Sequence, residues 1–188
     1  MPLLEPDVLK ITPEPSEPAS DRAPDWVAGG TPEPLRSKLA AVFSEEKLLI
    51  RATDLIRYAS DASPYRLLPK AVVMAHDADD VAAVLKFGRE EGVPVTFRAG
   101  GTSLNGQGQT EGILVDVRKH FTGIEVLEDG MKARVKPGTI LGHANKVLAP
   151  YGRKLGPDPA STDIATVGGV VSNNSGGTIT LSGGTLSS

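Results

Sequence analysis

The sequence predicts an α+β fold made of two units, and three patterns support this prediction. Over residues 71–117, short apolar runs typical of buried strands flank a well-capped amphipathic helix, which indicates a βαβ unit. After Gly123, two short strands joined by a turn indicate an antiparallel hairpin. Each unit also contains a glycine-rich loop, where the backbone can approach a ligand closely.

The residues before these units predict a tail and a helical segment. Eight of the 15 prolines lie within residues 1–34, where acids outnumber bases, so residues 1–30 are predicted to form a disordered, acidic, proline-rich tail. Docking of Trp26–Val27 on the domain stays an alternative. Residues 31–57 are predicted to be helical, with Thr31 as the cap of the first helix and a second amphipathic stretch over Glu46–Tyr58.

The first unit, over residues 58–120, is predicted to be a parallel βαβ arrangement with strands at 71–75, 93–97 and 113–117. Asp77 is predicted to cap the intervening helix, and Gly92 to end it in the left-handed conformation. The apolar residues of this helix that we expect to face inward are Val81, Val84 and Leu85.

The second unit, over residues 121–177, is predicted to be partial. It begins with a hairpin whose strands, 124–127 and 133–135, are joined by Glu128-Asp129-Gly130, and continues with a helix over Thr139–Leu148. Residues 178–188 belong to two tandem glycine-rich heptads and are predicted to form a low-complexity tail.

Composition excludes several classes of function. The chain has no cysteine and three histidines at unrelated spacings, which excludes thiolate chemistry and disfavours a metal site. Its net charge is −3, so no global positive field attracts nucleic acid. No apolar run approaches the roughly 20 residues of a membrane span, and no secretory signal is recognisable. We therefore expect a cytoplasmic protein.

The first glycine loop, residues 98–108, follows the strand that ends near Phe97. Paired glycines allow positive φ and close approach of backbone N–H groups to an anion, so a pyrophosphate is a natural ligand. The dinucleotide-binding fingerprint is not met, because Glu111 stands where its third glycine belongs, and the P-loop lysine is absent. An ordinary glycine-rich connector is an equal alternative at this point.

The second glycine segment, residues 156–177, is rich in small residues, amides and hydroxyls. Such a surface can lie flat against a large planar ligand and bind its polar edges. The alternative is a flexible linker, which the apolar pair Val170-Val171 disfavours.

Four ordered motifs give the sequence a recognisable resemblance. They are YASDASPYRLLPKAVVMAHDADDVAAVL (58–85), VPVTFRAGGTSLNGQG (93–108), ARVKPGTIL (133–141) and GPDPASTDIATVGGVVSNNSGG (156–177). Together they resemble the FAD-binding domain of the FAD-linked oxidases, the vanillyl-alcohol-oxidase or PCMH type. The likeness is strongest to D-lactate dehydrogenases and glycolate-oxidase-like flavoproteins, including forms fused to an iron–sulfur region.

The resemblance implies a two-subdomain fold with non-covalent FAD between the subdomains, because the histidine that often tethers FAD in the first loop is replaced by glycine. It implies that the pyrophosphate lies on the first glycine loop and that the second glycine segment passes the isoalloxazine and the ADP half. The implied contacts in the first loop are Arg98, Gly100, Gly101, Thr102, Ser103, Asn105 and Gly106. Those in the second segment are Pro157, Asp158, Ser161, Thr166, Gly168, Gly169, Asn173, Asn174 and Gly176.

Some of these residues also have a purely structural interpretation. Arg98 is expected to pair with an acid of the domain rather than with a phosphate, and Asp158 to act as a turn acceptor. His120 and His143 fit surface or helix positions better than catalysis. Asp61 and Ser63 match a family motif whose role is structural. No residue is expected to be catalytic or to bind a metal.

The resemblance implies the FAD-binding portion of a 2-hydroxy-acid oxidoreductase, D-lactate dehydrogenase-like, in which the flavin N5 accepts a hydride. Full-length relatives would add a substrate domain and a peripheral link to the respiratory chain at the membrane. Because TITLSGGTLSS departs from the family pattern after Gly177, we expect a truncated second subdomain without the substrate domain. The alternatives are a non-catalytic remnant or interaction module, and the same scaffold oxidising another alcohol.

Overall fold

The computed structural model describes residues 23–175. Its helices are α1 (Leu35–Ala40), α2 (Ala52–Tyr58), α3 (Ala78–Glu91), α4 (Leu141–Leu148) and α5 (Val167–Ser172). Its strands are β1 (Leu48–Leu49), β2 (Ala71–Met74), β3 (Val95–Arg98), β4 (Ile113–Asp116), β5 (Ile124–Leu127) and β6 (Lys132–Val135). The chain is therefore a mixed helix and strand structure, as the sequence predicts.

A four-stranded sheet in the order β1-β2-β4-β3 forms the first unit. The strands β2 and β3 both run parallel to the central strand β4, in which all four residues are buried. Asp116 of β4 lies opposite Met74 on one side and Arg98 on the other. The carboxyl ends of the three parallel strands therefore meet at one edge, the position where open α/β sheets place ligands.

Both faces of this sheet are covered, because successive side chains of a strand point to opposite sides. Val73 and Val115 pack in one cluster with Val84 of α3. Their neighbours Val72 and Leu114 pack in a second cluster on the opposite face, with residues before and within α2. A parallel sheet covered on both sides accounts for the apolar strands that the sequence shows.

Helix α3 has the ends that its sequence predicts. The Asp77 carboxylate accepts a hydrogen bond from the N–H of Asp80 at 2.9 Å, and Gly92 follows the helix with φ 66°. Gly88 lies where a Cβ would come within 2.4 Å of Val95, so a glycine permits the helix to lie close against β3.

The second unit contains the predicted hairpin and helix. Strands β5 and β6 pair antiparallel from Ile124 opposite Val135 to Leu127 opposite Lys132. Helix α4 packs on the hairpin through a core that includes Leu141 and Leu148. None of the helices within residues 23–175 has the length and apolarity needed to cross a bilayer.

Three expectations for the N-terminal part differ from the structure. Residues 25–29 form a 3-10 helix with Val27 buried, so the predicted disordered tail is wrong for this stretch, while residues 1–22 lie outside the described part. The amphipathic stretch 46–58 is divided into β1, which pairs antiparallel with β2, and α2. Thr31 does not cap α1; the Glu33 carboxylate instead accepts from the Ser37 N–H at 3.2 Å.

Two further differences concern helices. Leu85 was expected to face inward with Val84, yet it is 48% exposed, because the buried stripe of α3 runs through Val84, Phe87 and Gly88. Helix α5 within the second glycine segment was not predicted, since its run of glycine and β-branched residues has low helix propensity. Residues 178–188, predicted to be a low-complexity tail, lie outside the described residues.

Candidate functional site

The two glycine loops meet at the carboxyl edge of the parallel sheet. A Cβ on Gly100 would lie 2.9 Å from the carbonyl oxygen of Ile164, so the backbones of the two segments are in close contact there. Farther along, the Gln107 side-chain amide donates to Asn173 Oδ1 at 3.0 Å. The structure therefore brings together two segments that are distant in sequence.

The backbone of the first loop turns through two glycines with positive φ, Gly101 at 63° and Gly106 at 74°. The carbonyl oxygen of Gly101 accepts from the N–H of Ala62, and that of Gly106 accepts from the N–H of Gln109. Within residues 23–175, the hydrogen bonds that fix this loop do not use the N–H groups of Gly100–Thr102. Such N–H groups are suited to bind an anion.

Arg98, at the start of this loop, makes contacts that the sequence did not predict. Its guanidinium donates to the carbonyl oxygens of Tyr58 and Ser60, at 2.9 and 2.5 Å, and lies 5.5 Å from the centre of the Tyr58 ring. The guanidinium thus donates to carbonyl oxygens, while its charge also contributes to lowering the pKa of the Asp61 carboxyl. Arg98 ties the end of β3 to the chain that follows α2.

Tyr58 and Asp116 form a polar contact behind Arg98. The Tyr58 hydroxyl donates to Asp116 Oδ2 at 2.7 Å, and the N–H of Arg118 donates to Asp116 Oδ1 at 2.8 Å. Burial, followed by the hydrogen bond and charge of Asp116, raises the pKa of Tyr58 to about 12. Asp116 is buried at the edge of the sheet, so these two donors compensate its charge.

The second glycine segment begins with a compact turn. Pro157 is buried, whereas Asp158 is exposed and accepts from the Thr162 hydroxyl at 3.3 Å, which fits the interpretation of Asp158 as a turn acceptor. The carbonyl oxygen of Ser161 accepts from the N–H groups of Ile164 and Ala165. This turn places Ile164 against Gly100.

The part of this segment that enters α5 contains a buried polar group without a partner. Thr166 is 2% exposed, and within the described residues its Oγ1 has no hydrogen-bond partner. Gly168 lies against Pro137, where a Cβ would come within 2.6 Å, while a Cβ on Gly169 would meet only Thr166 Oγ1 at 3.5 Å. Asn173 and Asn174 follow α5 and are exposed, and Gly176 lies outside the described residues.

Two histidines also lie after parallel strands. The rings of His76 and His120 are in contact, with centroids 3.9 Å apart and planes tilted by 34°, and both side chains are half-buried. Burial, followed by the charge of His76, lowers the pKa of His120. His143 is exposed on α4. Among residues 23–175 no cluster of three or more His, Asp or Glu side chains is arranged to hold a metal ion.

Several residues that organise the site lie outside the contacts predicted from the sequence. Gln107 joins the two segments, Ile164 contacts Gly100, and Gln109 is buried beneath the loop. The alternation Gly106-Gln107-Gly108-Gln109 was a usable signal for the two glutamines, since polar side chains between glycines have few local partners.

The residues present fit a dinucleotide whose diphosphate needs N–H donors. The first loop offers N–H groups that its own hydrogen bonds leave unused, and Gly101 has the positive φ that a larger residue would strain. Thr166 adds an unpaired hydroxyl in the opposite segment. Free N–H donors on a glycine loop are the feature expected of a pyrophosphate-binding loop.

Comparisons with known proteins agree with this fit. The family described as "FAD binding domain" matches residues 69–188. A D-2-hydroxyglutarate dehydrogenase from Pseudomonas putida is 39% identical over 123 residues, 63% of this chain and 12% of that protein. Glycolate oxidase subunit GlcD from Bacillus subtilis is 37% identical over 64% of this chain and 26% of its own length. A D-lactate dehydrogenase from Archaeoglobus fulgidus is 34% identical over 69% of this chain and 30% of its own length.

Solved structures share the fold. Alkyldihydroxyacetonephosphate synthase superposes with a TM-score of 0.64 at 20% identity, over 76% of this chain and 32% of that chain. Substrate-bound p-cresol methylhydroxylase superposes with a TM-score of 0.61 at 21% identity, over 74% of this chain and 28% of that chain. The chain thus spans less than a third of the length of these relatives. It belongs to the family described as "FAD binding domain", and its cofactor is FAD.

Proposed function

We propose that the chain binds FAD between the first glycine loop and the second glycine segment. The pyrophosphate lies on the first loop, and the isoalloxazine and ADP half follow the second segment. The residues that would hold the cofactor in the first loop are Arg98, Gly100, Gly101, Thr102, Ser103, Asn105 and Gly106. Those in the second segment are Pro157, Asp158, Ser161, Thr166, Gly168, Gly169, Asn173, Asn174 and Gly176.

The close contact of Gly100 with Ile164 is the observation that carries this proposal. It holds the two segments at the carboxyl edge of the parallel sheet, where the unused N–H groups of Gly100–Thr102 are available to an anion. Arg98 acts from behind the loop, because its guanidinium is held by the carbonyl oxygens of Tyr58 and Ser60. From there its positive charge favours the diphosphate.

We further propose that FAD is held without a covalent bond. The first loop from Arg98 to Gly108 contains no histidine, cysteine or tyrosine, so it has no nucleophile for a flavin link. Acid precipitation of the FAD-loaded protein is expected to release the flavin into the supernatant. Flavin that stays in the pellet would contradict this part of the proposal.

The reaction class that we propose is oxidation of a 2-hydroxy acid by a longer polypeptide that contains this domain. When bound, FAD supplies the hydride acceptor. Relatives named for D-2-hydroxyglutarate, glycolate and D-lactate support the class. D-lactate is the substrate predicted from the sequence, and D-2-hydroxyglutarate is a second candidate because the relative named for it is 39% identical. A quinone or cytochrome of the respiratory chain would take the electrons.

Cofactor binding is tested by titrating the chain with FAD and with riboflavin while following flavin fluorescence. FAD is expected to bind more tightly by at least about tenfold, because riboflavin lacks the diphosphate. Inorganic pyrophosphate is expected to compete with FAD and not with riboflavin. Equal affinity for FAD and riboflavin would contradict the pyrophosphate assignment.

The reaction class is tested with two chimeras. Residues 69–175 of this chain replace the matching part of the Pseudomonas putida D-2-hydroxyglutarate dehydrogenase in one, and of the Archaeoglobus fulgidus D-lactate dehydrogenase in the other. Each chimera is expected to retain FAD and to be reduced by the acid for which its parent is named. Chimeras that hold FAD but are reduced by neither acid would contradict the proposal.

A further inference from the structure

Residues 58–67, which we name the strap, lie along the first glycine loop and are bonded to it at several points. At one end, Arg98 donates to the carbonyl oxygens of Tyr58 and Ser60. In the middle, the N–H of Ala62 donates to the carbonyl oxygen of Gly101 at 3.0 Å. The ring of Tyr65 lies against Gly106, where a Cβ would come within 2.9 Å of it. The shape of the loop therefore depends on the strap.

Gln109 is the side chain that holds the strap in place. It is 6% exposed, and its Nε2 donates to Asp61 Oδ1 at 2.7 Å and to the carbonyl oxygen of Tyr65 at 2.9 Å. The Ser63 hydroxyl lies 3.2 Å from the same nitrogen, and Oε1 accepts from the N–H of Leu67 at 2.9 Å. One buried amide thus serves both as donor, through Nε2, and as acceptor, through Oε1, for the strap.

Gln109 also closes the exit of the loop through its backbone. Its N–H donates to the carbonyl oxygen of Gly106 at 3.1 Å, in the turn where Gly106 has a φ of 74°. The side chain and the backbone of one residue therefore fix the exit of the loop and the strap relative to each other. A change in this side chain would be transmitted to Gly101 through Ala62.

The charges around Gln109 make a glutamate at this position a poor substitute. Asp61 is half-buried, and although burial alone would raise its pKa, hydrogen bonds from Ser63 and Gln109 and the charge of Arg98 hold the pKa of Asp61 below its usual value. Asp61 is therefore ionised. A second carboxylate at 2.7 Å from Oδ1 would repel Asp61 and would lack the N–H donor.

We propose that Gln109 is a positioning residue for FAD binding, which sets the N–H groups of the first glycine loop for the diphosphate through the strap and does not touch the cofactor. This inference rests on the proposed function. It predicts that replacing Gln109 weakens the binding of FAD, which has the diphosphate, more than the binding of riboflavin, which lacks it.

The experiment compares Gln109→Glu and Gln109→Leu with Thr110→Val in the full chain. Thr110 is a matched control, because it is also 6% exposed and its hydroxyl accepts one buried hydrogen bond, from the N–H of Gly112, away from the strap. Gln109→Leu keeps roughly the same side-chain volume and adds no charge. The effect of losing the amide can therefore still be measured if Gln109→Glu does not fold.

Three quantities are measured: the affinity for FAD, the affinity for riboflavin, and, without flavin, the amide hydrogen exchange of Ala62 and Gln109, whose N–H groups donate to the carbonyl oxygens of Gly101 and Gly106. Both Gln109 variants are expected to lose about tenfold or more in FAD affinity, with less than about threefold change for riboflavin. Exchange at these two amides is expected to be about tenfold faster in the Gln109 variants than in Thr110→Val. Thr110→Val is expected to keep the wild-type ratio of FAD to riboflavin affinity.

The outcomes separate this inference from the proposed function. If the Gln109 variants lose FAD and riboflavin affinity equally, or resemble Thr110→Val, Gln109 has only a structural role and the inference is overturned while FAD binding stands. If the wild-type chain does not prefer FAD to riboflavin, the proposed function is overturned and this inference with it.

Discussion

Replacement of Gly101 by aspartate tests the pyrophosphate assignment most directly. Gly101 has a φ of 63° within the first glycine loop. Gly92, which follows α3, has a φ of 66° and open space around an added Cβ, so Gly92→Asp is a matched control. Each substitution adds one negative charge and about 1–2 kcal/mol of left-handed backbone strain. Because the Cβ of residue 101 would also lie 3.0 Å from Arg98 Nε, Gly101→Asp should lose somewhat more stability than Gly92→Asp.

Only Gly101→Asp should weaken FAD binding. Two unit charges 4 Å apart repel by about 1 kcal/mol in water and about 4 kcal/mol at an effective dielectric constant of 20. The guanidinium of Arg98, whose Nε lies 3.0 Å from the Cβ position of residue 101, offsets part of this repulsion. We therefore expect a loss of FAD affinity of at least about tenfold, up to no detectable binding.

The measurement is a fluorescence titration of both variants with FAD and with riboflavin. Riboflavin affinity is expected to change little, because riboflavin has no diphosphate that the added carboxylate could repel. Equal FAD affinity in Gly101→Asp and Gly92→Asp would refute the placement of the diphosphate on this loop. A circular dichroism melt of each variant shows whether the two are comparably folded.

Three further predictions follow from the same structure. Val27→Ala should lower stability by about 1–2 kcal/mol, seen as a lower melting temperature, whereas Val42→Ala at a half-exposed position should not. Tyr58→Phe should destabilise the protein by about 1–2 kcal/mol, because it removes a hydrogen bond to the buried carboxylate of Asp116. The folded-state pKa of Tyr58, about 12, lies above its ordinary value of about 10, so this contribution should be complete below pH 10 and be lost towards pH 12. A tyrosine absorbance titration without a group near 12 would contradict it. Finally, the 188-residue chain with added FAD should not turn over D-lactate in a dye-linked assay, because the second glycine segment offers two aspartates and no histidine, lysine or arginine. Turnover within about tenfold of a D-lactate dehydrogenase would contradict this.

The elements that the sequence predicted correctly are those with local signals. Asp77 and Gly92 mark both ends of α3, and the glycine-containing turn after Leu127 marks the hairpin. Strand β1 has no such signal: its two residues, Leu48 and Leu49, are extended because they pair with β2. Helical spacing alone could not predict this, since the pairing depends on residues more than 20 positions away.

The same distinction applies to the site. Glycine pairs and the family resemblance identified both glycine segments, because these features are local. The contacts that bring the segments together are long-range: Gln107 and Asn173 are 66 residues apart, and Gln109 reaches 48 residues back to Asp61. The two carbonyl oxygens that accept from Arg98 have no sequence signature.

The use of hydrogen bonds in the first glycine loop favours a binding loop over a connector, the alternative that composition left open. A loop that only connects two elements is most stable when both its N–H donors and its carbonyl acceptors are hydrogen-bonded. Here the carbonyl oxygens of Gly101 and Gly106 are engaged by the rest of the protein, whereas, within the described residues, the N–H groups of Gly100–Thr102 are not used to fix the loop. A loop that is held through its acceptors and keeps its donors is prepared for an anion. Because the donors precede the turn that Gln109 closes, rigidity at the exit would, under the proposed function, lower the entropy cost of holding a diphosphate at the entrance.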